Sequence, residues 1–241
     1  MTTADALVLA MIFTPLGAIV ALILAVIAAA IGGDPAYDFG HRNALANIGA
    51  SPAQAILANA GFGVVGPAER LRLEDYRRQF ETNVFGVLRT LYATLEDLKR
   101  SRGSFAIIGS VSGHLATPGG SPYAMSKFAV RALAEALRGE LRSAGVAVTL
   151  ISPGFVESEI RLVDNEGRLR EESADIVPGW IRMSAERAAR KIATAIERRR
   201  REAVITAHGK ALVFVARHAP GLMSALVGLS GYRGRPAPGR S

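Results

Sequence analysis

Four short apolar runs, separated by segments whose apolar residues recur every three or four positions, constrain this chain more than any other feature. Residues 55–58 (AILA), 105–108 (FAII), 146–151 (VAVTLI) and 203–206 (AVIT) are compact and apolar, as strands buried on both faces are. Between the first two, Tyr76, Phe80, Val84, Leu88, Leu91, Leu95 and Leu98 form one helical stripe over residues 74–99, which Ser101-Arg102-Gly103 breaks. Pro122 is placed to open a second helix over residues 123–142, with Gly145 as its C-cap. Ser184 can cap a third, whose Ala185, Ala188, Ala189, Ile192 and Ile196 face inward. Alternation of this kind predicts an α/β fold, a parallel sheet with helices on both faces.

At 241 residues the chain is one domain, or one domain with an appendage. It has no Cys, which removes disulfides, thiolate catalysis and Cys-based metal sites. His41, His114, His208 and His218 lack metal-ligand spacing, so no metal is expected. The net charge of +8 is local, because residues 182–201 hold eight basic side chains against Glu186 and Glu197. No nucleic-acid motif accompanies this stripe, which reads as a solvated helix face, and no nucleic-acid partner is expected.

Residues 6–33 run for 28 positions without a charge, about 42 Å as a helix against a hydrocarbon core of about 30 Å. The preceding MTTAD lacks the basic residues of a signal peptide, and a segment apolar on every face does not suit a buried core helix. The expectation is an N-terminal transmembrane helix (1–33) and a linker (34–54), followed by the α/β domain (55–231) and a disordered Pro-, Gly- and Arg-rich tail (232–241). Arg42 after the apolar run places the domain on the cytoplasmic side of the membrane. Residues 210–229 read either as core packing, as a cover over the site or as a membrane-surface segment.

In open parallel sheets ligands sit beyond the carboxyl ends of the strands. Those positions hold Asn59-Ala60-Gly61, Ser110 and Pro153-Gly154. The helix after the second strand begins Tyr123-Ala124-Met125-Ser126-Lys127, and an i, i+4 spacing puts phenol and ammonium on one face. A cation beside a phenol favours the phenolate, lowering its pKa from about 10 and making an acid/base pair. With five Tyr and four Lys in the chain, chance supplies about 0.08 such spacings, so context decides. Asn83 lies inside an otherwise apolar half-helix, where an amide needs a reason to be.

Together these residues resemble the short-chain dehydrogenase/reductase family, from about Ala55 to Leu222. Leu57-Ala58-Asn59-Ala60-Gly61 resembles its NNAG strand end, with Ala58 for the first Asn. Ile108-Gly109-Ser110-Val111-Ser112-Gly113 is similar to the catalytic serine segment, with Ser110 the better candidate and Ser112 the runner-up. Tyr123 and Lys127 match the YxxxK pair, Asn83 the helix asparagine, and Pro153-Gly154-Phe155-Val156-Glu157-Ser158 the PGxVxT segment with Ser for Thr. The resemblance implies a Rossmann-like fold and hydride transfer between NAD or NADP and a small alcohol or ketone, possessing a lipophilic character if the chain is membrane-bound. Tyr123 would be proton donor, Ser110 would hold the substrate oxygen, Lys127 would lower the Tyr123 pKa and contact the ribose, and Asn83 would hold a relay water. Asn59, Ala60 and Gly61, with Tyr123, Lys127, Pro153, Gly154 and Ser158, would line the cofactor site. The helices over 74–99 and 123–142 would pair across a homodimer or homotetramer.

One departure is large. The family's TGxxxGxG turn, whose backbone cradles the pyrophosphate, has no counterpart, and the 21 residues from 34 to 54 are too few for the strand-helix-strand unit of about 30 that normally carries it. Two readings stand: a working oxidoreductase, or a non-catalytic, membrane-tethered relic or scaffold that binds no dinucleotide.

Overall fold

The computed structural model describes residues 54–157, 165 and 177–229. The leader read as a membrane span, the linker up to residue 53, Ser158 and the tail lie outside these described residues. No helix among the described residues is long and apolar enough to cross a membrane.

The four apolar runs form four parallel strands: β1 (Ala55–Ala58), β2 (Ser104–Ile108), β3 (Ala147–Ser152) and β4 (Glu202–Val204), in the order β1-β2-β3-β4. Ala58 stands opposite Ile107, Ile107 opposite Leu150, and Leu150 opposite Glu202, so all carboxyl ends reach one edge. Successive side chains go to opposite faces. Ile56, Ala58, Phe105, Ile107, Val148 and Leu150 pack on one side against α2 (Gly86–Ser101) and α3 (Ser121–Glu140). Leu57, Ala106 and Ile151 meet α4 (Ala185–Glu197) on the other. Pro122 stands in the first turn of α3, and Ser184 caps α4 by accepting the Arg187 N–H at 3.4 Å. Two further helices, α5 (Ala207–His218) and α6 (Pro220–Leu229), follow β4.

The helical stripe over residues 74–99 needs correction. The chain forms α1 (Leu73–Phe80), a five-residue π-turn (Glu81–Phe85) and then α2. In the first half the buried side chains are Asp75, Gln79 and Asn83, four residues apart, while Tyr76, Phe80 and Val84 are half-buried. Apolar burial takes over from Val87. The reason is what each half faces: α2 lies on the sheet, whereas α1 and the π-turn lie on a loop whose backbone needs hydrogen-bond partners.

Thr149 on β3 is fully buried, and its Oγ1 has no hydrogen-bond partner. A near-isosteric methyl in its place removes an unpaired buried hydroxyl. Thr149→Val is expected to raise unfolding stability by about 1 kcal/mol, read as a higher urea midpoint at unchanged m-value.

Candidate active site

The site is built on the loop that leaves β1. Its residues Gly61 to Val65 have no neighbouring strand among the described residues to pair them, and Val64 is fully buried. Side-chain amides supply the missing partners. Gln79 accepts the Val64 N–H at 2.6 Å and donates to the Phe62 carbonyl at 2.7 Å. Asn83 accepts the Phe62 N–H at 3.2 Å and donates to the same carbonyl at 3.1 Å. Asn165 accepts the Val65 N–H at 3.0 Å and donates back to the Val65 carbonyl at 2.9 Å. Each amide imitates a strand, offering one donor and one acceptor.

Fixed in this way, the loop meets α3. A Cβ at Gly61 would sit 3.1 Å from Asn83 Oδ1 and 3.6 Å from Lys127 Nζ, and one at Gly63 would rest 3.5 Å from the Tyr123 ring. The structure therefore brings Gly61, Asn83, Tyr123 and Lys127 together. Asn83 Nδ2 also donates to Ser126 Oγ at 3.0 Å, and Ser126 donates to the Tyr123 carbonyl at 2.7 Å, tying the loop to the first turn of α3. Both Asn83 donors are spent on protein, so this residue is first a clamp, and only an Oδ1 lone pair remains for a water. A π-turn at Asn83 is the kind of helix irregularity that aims one side chain out of the regular ladder.

Lys127 is 3% exposed, with Nζ 5.6 Å from the centre of the Tyr123 ring and donating to the Ile108 carbonyl at 2.9 Å. Burial lowers its pKa to about 8, so the ammonium survives at neutral pH but is poorly solvated. Ser110, half-buried just past β2, caps a short turn (Val111–Gly113) by accepting the Ser112 N–H at 3.1 Å. That acceptance leaves its own proton to donate. The turn packs on α3, where a Cβ at Gly113 would come within 2.8 Å of the Lys127 carbonyl. Asn59 and Ala60 are half-buried at the end of β1.

Pro153 and Gly154 follow β3, and the Pro153 carbonyl accepts the Val111 N–H at 2.9 Å. Beyond them the sequence reading missed a support. His208, in the first turn of α5, stacks on Phe155 at 5.3 Å between ring centres, and its Nε2 accepts the Phe155 N–H at 2.9 Å. A Cβ at Gly154 would fall 2.4 Å from both His208 Nε2 and Thr206 Oγ1, so only glycine lets the segment pass beneath α5. Burial pushes the His208 pKa down, which keeps the ring neutral and Nε2 an acceptor. A second support joins His114, just past the Ser110 turn, to Ser152 Oγ and Glu202 Oε1, each 3.1 Å from its Nε2. Arg217 of α5 grips both Glu202 oxygens at 2.8 and 2.6 Å. The His114 hydrogen bond, then Arg217, holds the Glu202 carboxyl down to about 2.

A parallel sheet with helices on both faces and side chains gathered at its carboxyl edge is a Rossmann-like layer. The short chain dehydrogenase family model matches residues 41–168, more than half of the 241-residue chain, which belongs to that oxidoreductase family. The uncharacterized oxidoreductase YbbO of Escherichia coli (strain K12) is 36% identical over 125 residues, 52% of this chain and 46% of that protein. The mitochondrial D-beta-hydroxybutyrate dehydrogenase of Rattus norvegicus is 36% identical over 99 residues, 41% of this chain and 29% of the relative. The chain thus spans less than half the length of these curated relatives. Among solved structures, a short chain dehydrogenase from Burkholderia cenocepacia J2315 in complex with NADP superposes with a TM-score of 0.65 at 20% identity, covering 78% of this chain and 73% of that one. One from Sphingobium yanoikuyae in complex with NADPH gives 0.59 at 22% identity, covering 86% and 75%. At such identities the likeness is one of fold.

Two outcomes follow from the buried polar groups. Gln79→Leu strands the Val64 N–H and is expected to cost about 2–4 kcal/mol of stability, measured by urea unfolding. The second concerns Lys127. Because its folded pKa is lowered, the buried charge opposes folding below pH 8, by an amount on the order of 3 kcal/mol. This opposition fades as pH rises from about 8, where the folded protein releases the proton, toward about 10.4, where the unfolded chain does. Lys127→Met should therefore be at least as stable as the parent at pH 7, and the gap should narrow between pH 8 and 10 in thermal melts.

Proposed function

We propose that this chain is a nicotinamide-dinucleotide-dependent oxidoreductase that interconverts a carbonyl and an alcohol, with Tyr123 as proton donor and acceptor. The observation that carries the reading is the buried Lys127 ammonium beside the Tyr123 ring, next to a glycine that leaves the adjoining space open. One of its three N–H donors goes to Ile108, and the other two have no partner among the described residues. That arrangement fits the ribose end of a dinucleotide, and a methyl at Gly61 would press on Asn83 Oδ1 and touch the ammonium.

The dinucleotide, NAD or NADP, supplies hydride transfer when bound. The chain's own residues do the rest. Lys127 and the backbone at Asn59-Ala60-Gly61 would hold the ribose side, and Pro153-Gly154, braced by His208, would take the nicotinamide side; Ser158, outside the described residues, is assigned to that side on sequence alone. Ser110 donates to the substrate oxygen, where negative charge develops on reduction. Tyr123 passes its proton to that oxygen, and the nearby ammonium stabilises the phenolate left behind. Asn83 holds the loop that sets the distance between Gly61 and Lys127.

The same reading extends to assembly and location. Phe85, Tyr92, Met125 and Phe128 are exposed on the outer faces of α2, α3 and the π-turn, a surface for a second copy of the chain. The anchor at residues 6–33 and a cytoplasmic domain are proposed on sequence alone. The competing reading, a scaffold that binds no dinucleotide, has in its favour the lack of a TGxxxGxG turn before β1. Titration of the detergent-solubilised protein with NADH and NADPH, followed by fluorescence, separates them. Saturable binding of either is expected, and its absence for both would overturn the proposal. Tyr123→Phe should then lower turnover by at least about 100-fold while leaving dinucleotide affinity within about twofold.

A further inference from the structure

The last two helices present apolar side chains that nothing among the described residues covers. In α6 only Met223 is buried, and no residue of Pro220–Leu229 is charged. Leu222, Leu226 and Leu229, spaced i, i+4, i+7, share one stripe and are 55%, 49% and 85% exposed. The neighbouring α5, on which α6 packs, adds Leu212 and Phe214, 37% and 63% exposed. Among the described residues, these side chains have no core to pack into. An apolar ridge of this extent on a folded surface marks a docking face.

Charge identifies what docks. From residue 203 to the C-terminus the chain has no Asp or Glu, against Lys210, Arg233, Arg235 and Arg240, with Arg217 already paired to Glu202. Tyr232 and two of these arginines follow within six residues of Leu229, the mixture that anchors helices at a lipid-water boundary. A second copy of the same face would bring like charges together with no carboxylate to pair them. An anionic bilayer offers apolar depth and negative charge at once. From this we infer that the α5–α6 hairpin is a membrane-surface element that inserts the Leu222, Leu226 and Leu229 stripe into an anionic leaflet. The inference is independent of the chemistry at Tyr123.

Because the chain has no Cys, one introduced thiol reports from one place. Full-length protein carrying Leu226→Cys, labelled with an environment-sensitive bimane, is mixed with vesicles of phosphatidylcholine, with and without phosphatidylglycerol. A blue shift is expected with the anionic vesicles only, reversed by high salt, and no shift from the same label at Ala136→Cys on α3. Arg233→Gln and Arg235→Gln should each weaken the anionic-vesicle response about five-fold. The label reads the hairpin directly, so binding through residues 6–33 does not mimic the result. An unshifted Leu226 label, or equal shifts with both vesicle types, would overturn the inference. So would a label already shielded without lipid: if the shielding grows with protein concentration a second copy covers the ridge, and if it does not the chain's own apolar leader does.

Discussion

A loop that leaves β1 with no strand beside it among the described residues is the constraint on which the site depends. Backbone N–H and C=O groups removed from water must find partners, and β1 ends where the sheet can no longer provide them. Gln79, Asn83 and Asn165 provide them instead, two from the helix beneath and one from across the fold. This explains why α1 buries Asp75, Gln79 and Asn83 where a core-facing helix would bury leucines. It also fixes Gly61 and Gly63 against Lys127 and Tyr123, so the same bonds that make the loop foldable set the floor of the pocket.

The charge in that pocket is held at a cost. Lys127 has given up its hydration for one carbonyl hydrogen bond and the face of a phenol ring, and its pKa falls accordingly. A structural residue in that position would be apolar and of similar length. A buried ammonium beside a phenol, with one hydrogen bond among the described residues, is the feature on which the proposed function rests. The neighbouring supports share this character: His208 is kept neutral and Glu202 kept ionised, each by what surrounds it.

The local part of this architecture was legible. Apolar runs gave the strands to within two residues, and Pro122 and Ser184 marked helix starts that the structure has. Tyr123 and Lys127 declare themselves by spacing on one helix, and Asn83 by being polar in an apolar half-turn. Gln79 carried the same signal, since Asp75, Gln79 and Asn83 repeat every four residues, but the parallel stripe of Tyr76, Phe80 and Val84 outweighed it. What stayed hidden is long-range. Asn165 reaches Val65 across 100 positions, His208 reaches Phe155 across 53, and Arg217 approaches His114 across 103. No periodicity encodes such pairs, because they arise only when the sheet order is known.

Sheet order makes α5 the element where two of these distant contacts converge. Its first turn holds the segment after β3 through His208 and Phe155, and its last turn holds the Ser110 turn through Arg217, Glu202 and His114. It also packs on α6, the most apolar helix among the described residues, in which only Met223 is buried. A helix bonded at one end to the segment after β3 and at the other to the turn after β2 cannot shift without moving at least one of them, since the two-oxygen Arg217–Glu202 pair and the His208 acceptor each require one geometry. The α5–α6 ridge is therefore carried by the element that joins the serine turn to the segment after β3, through three named bonds rather than by proximity alone.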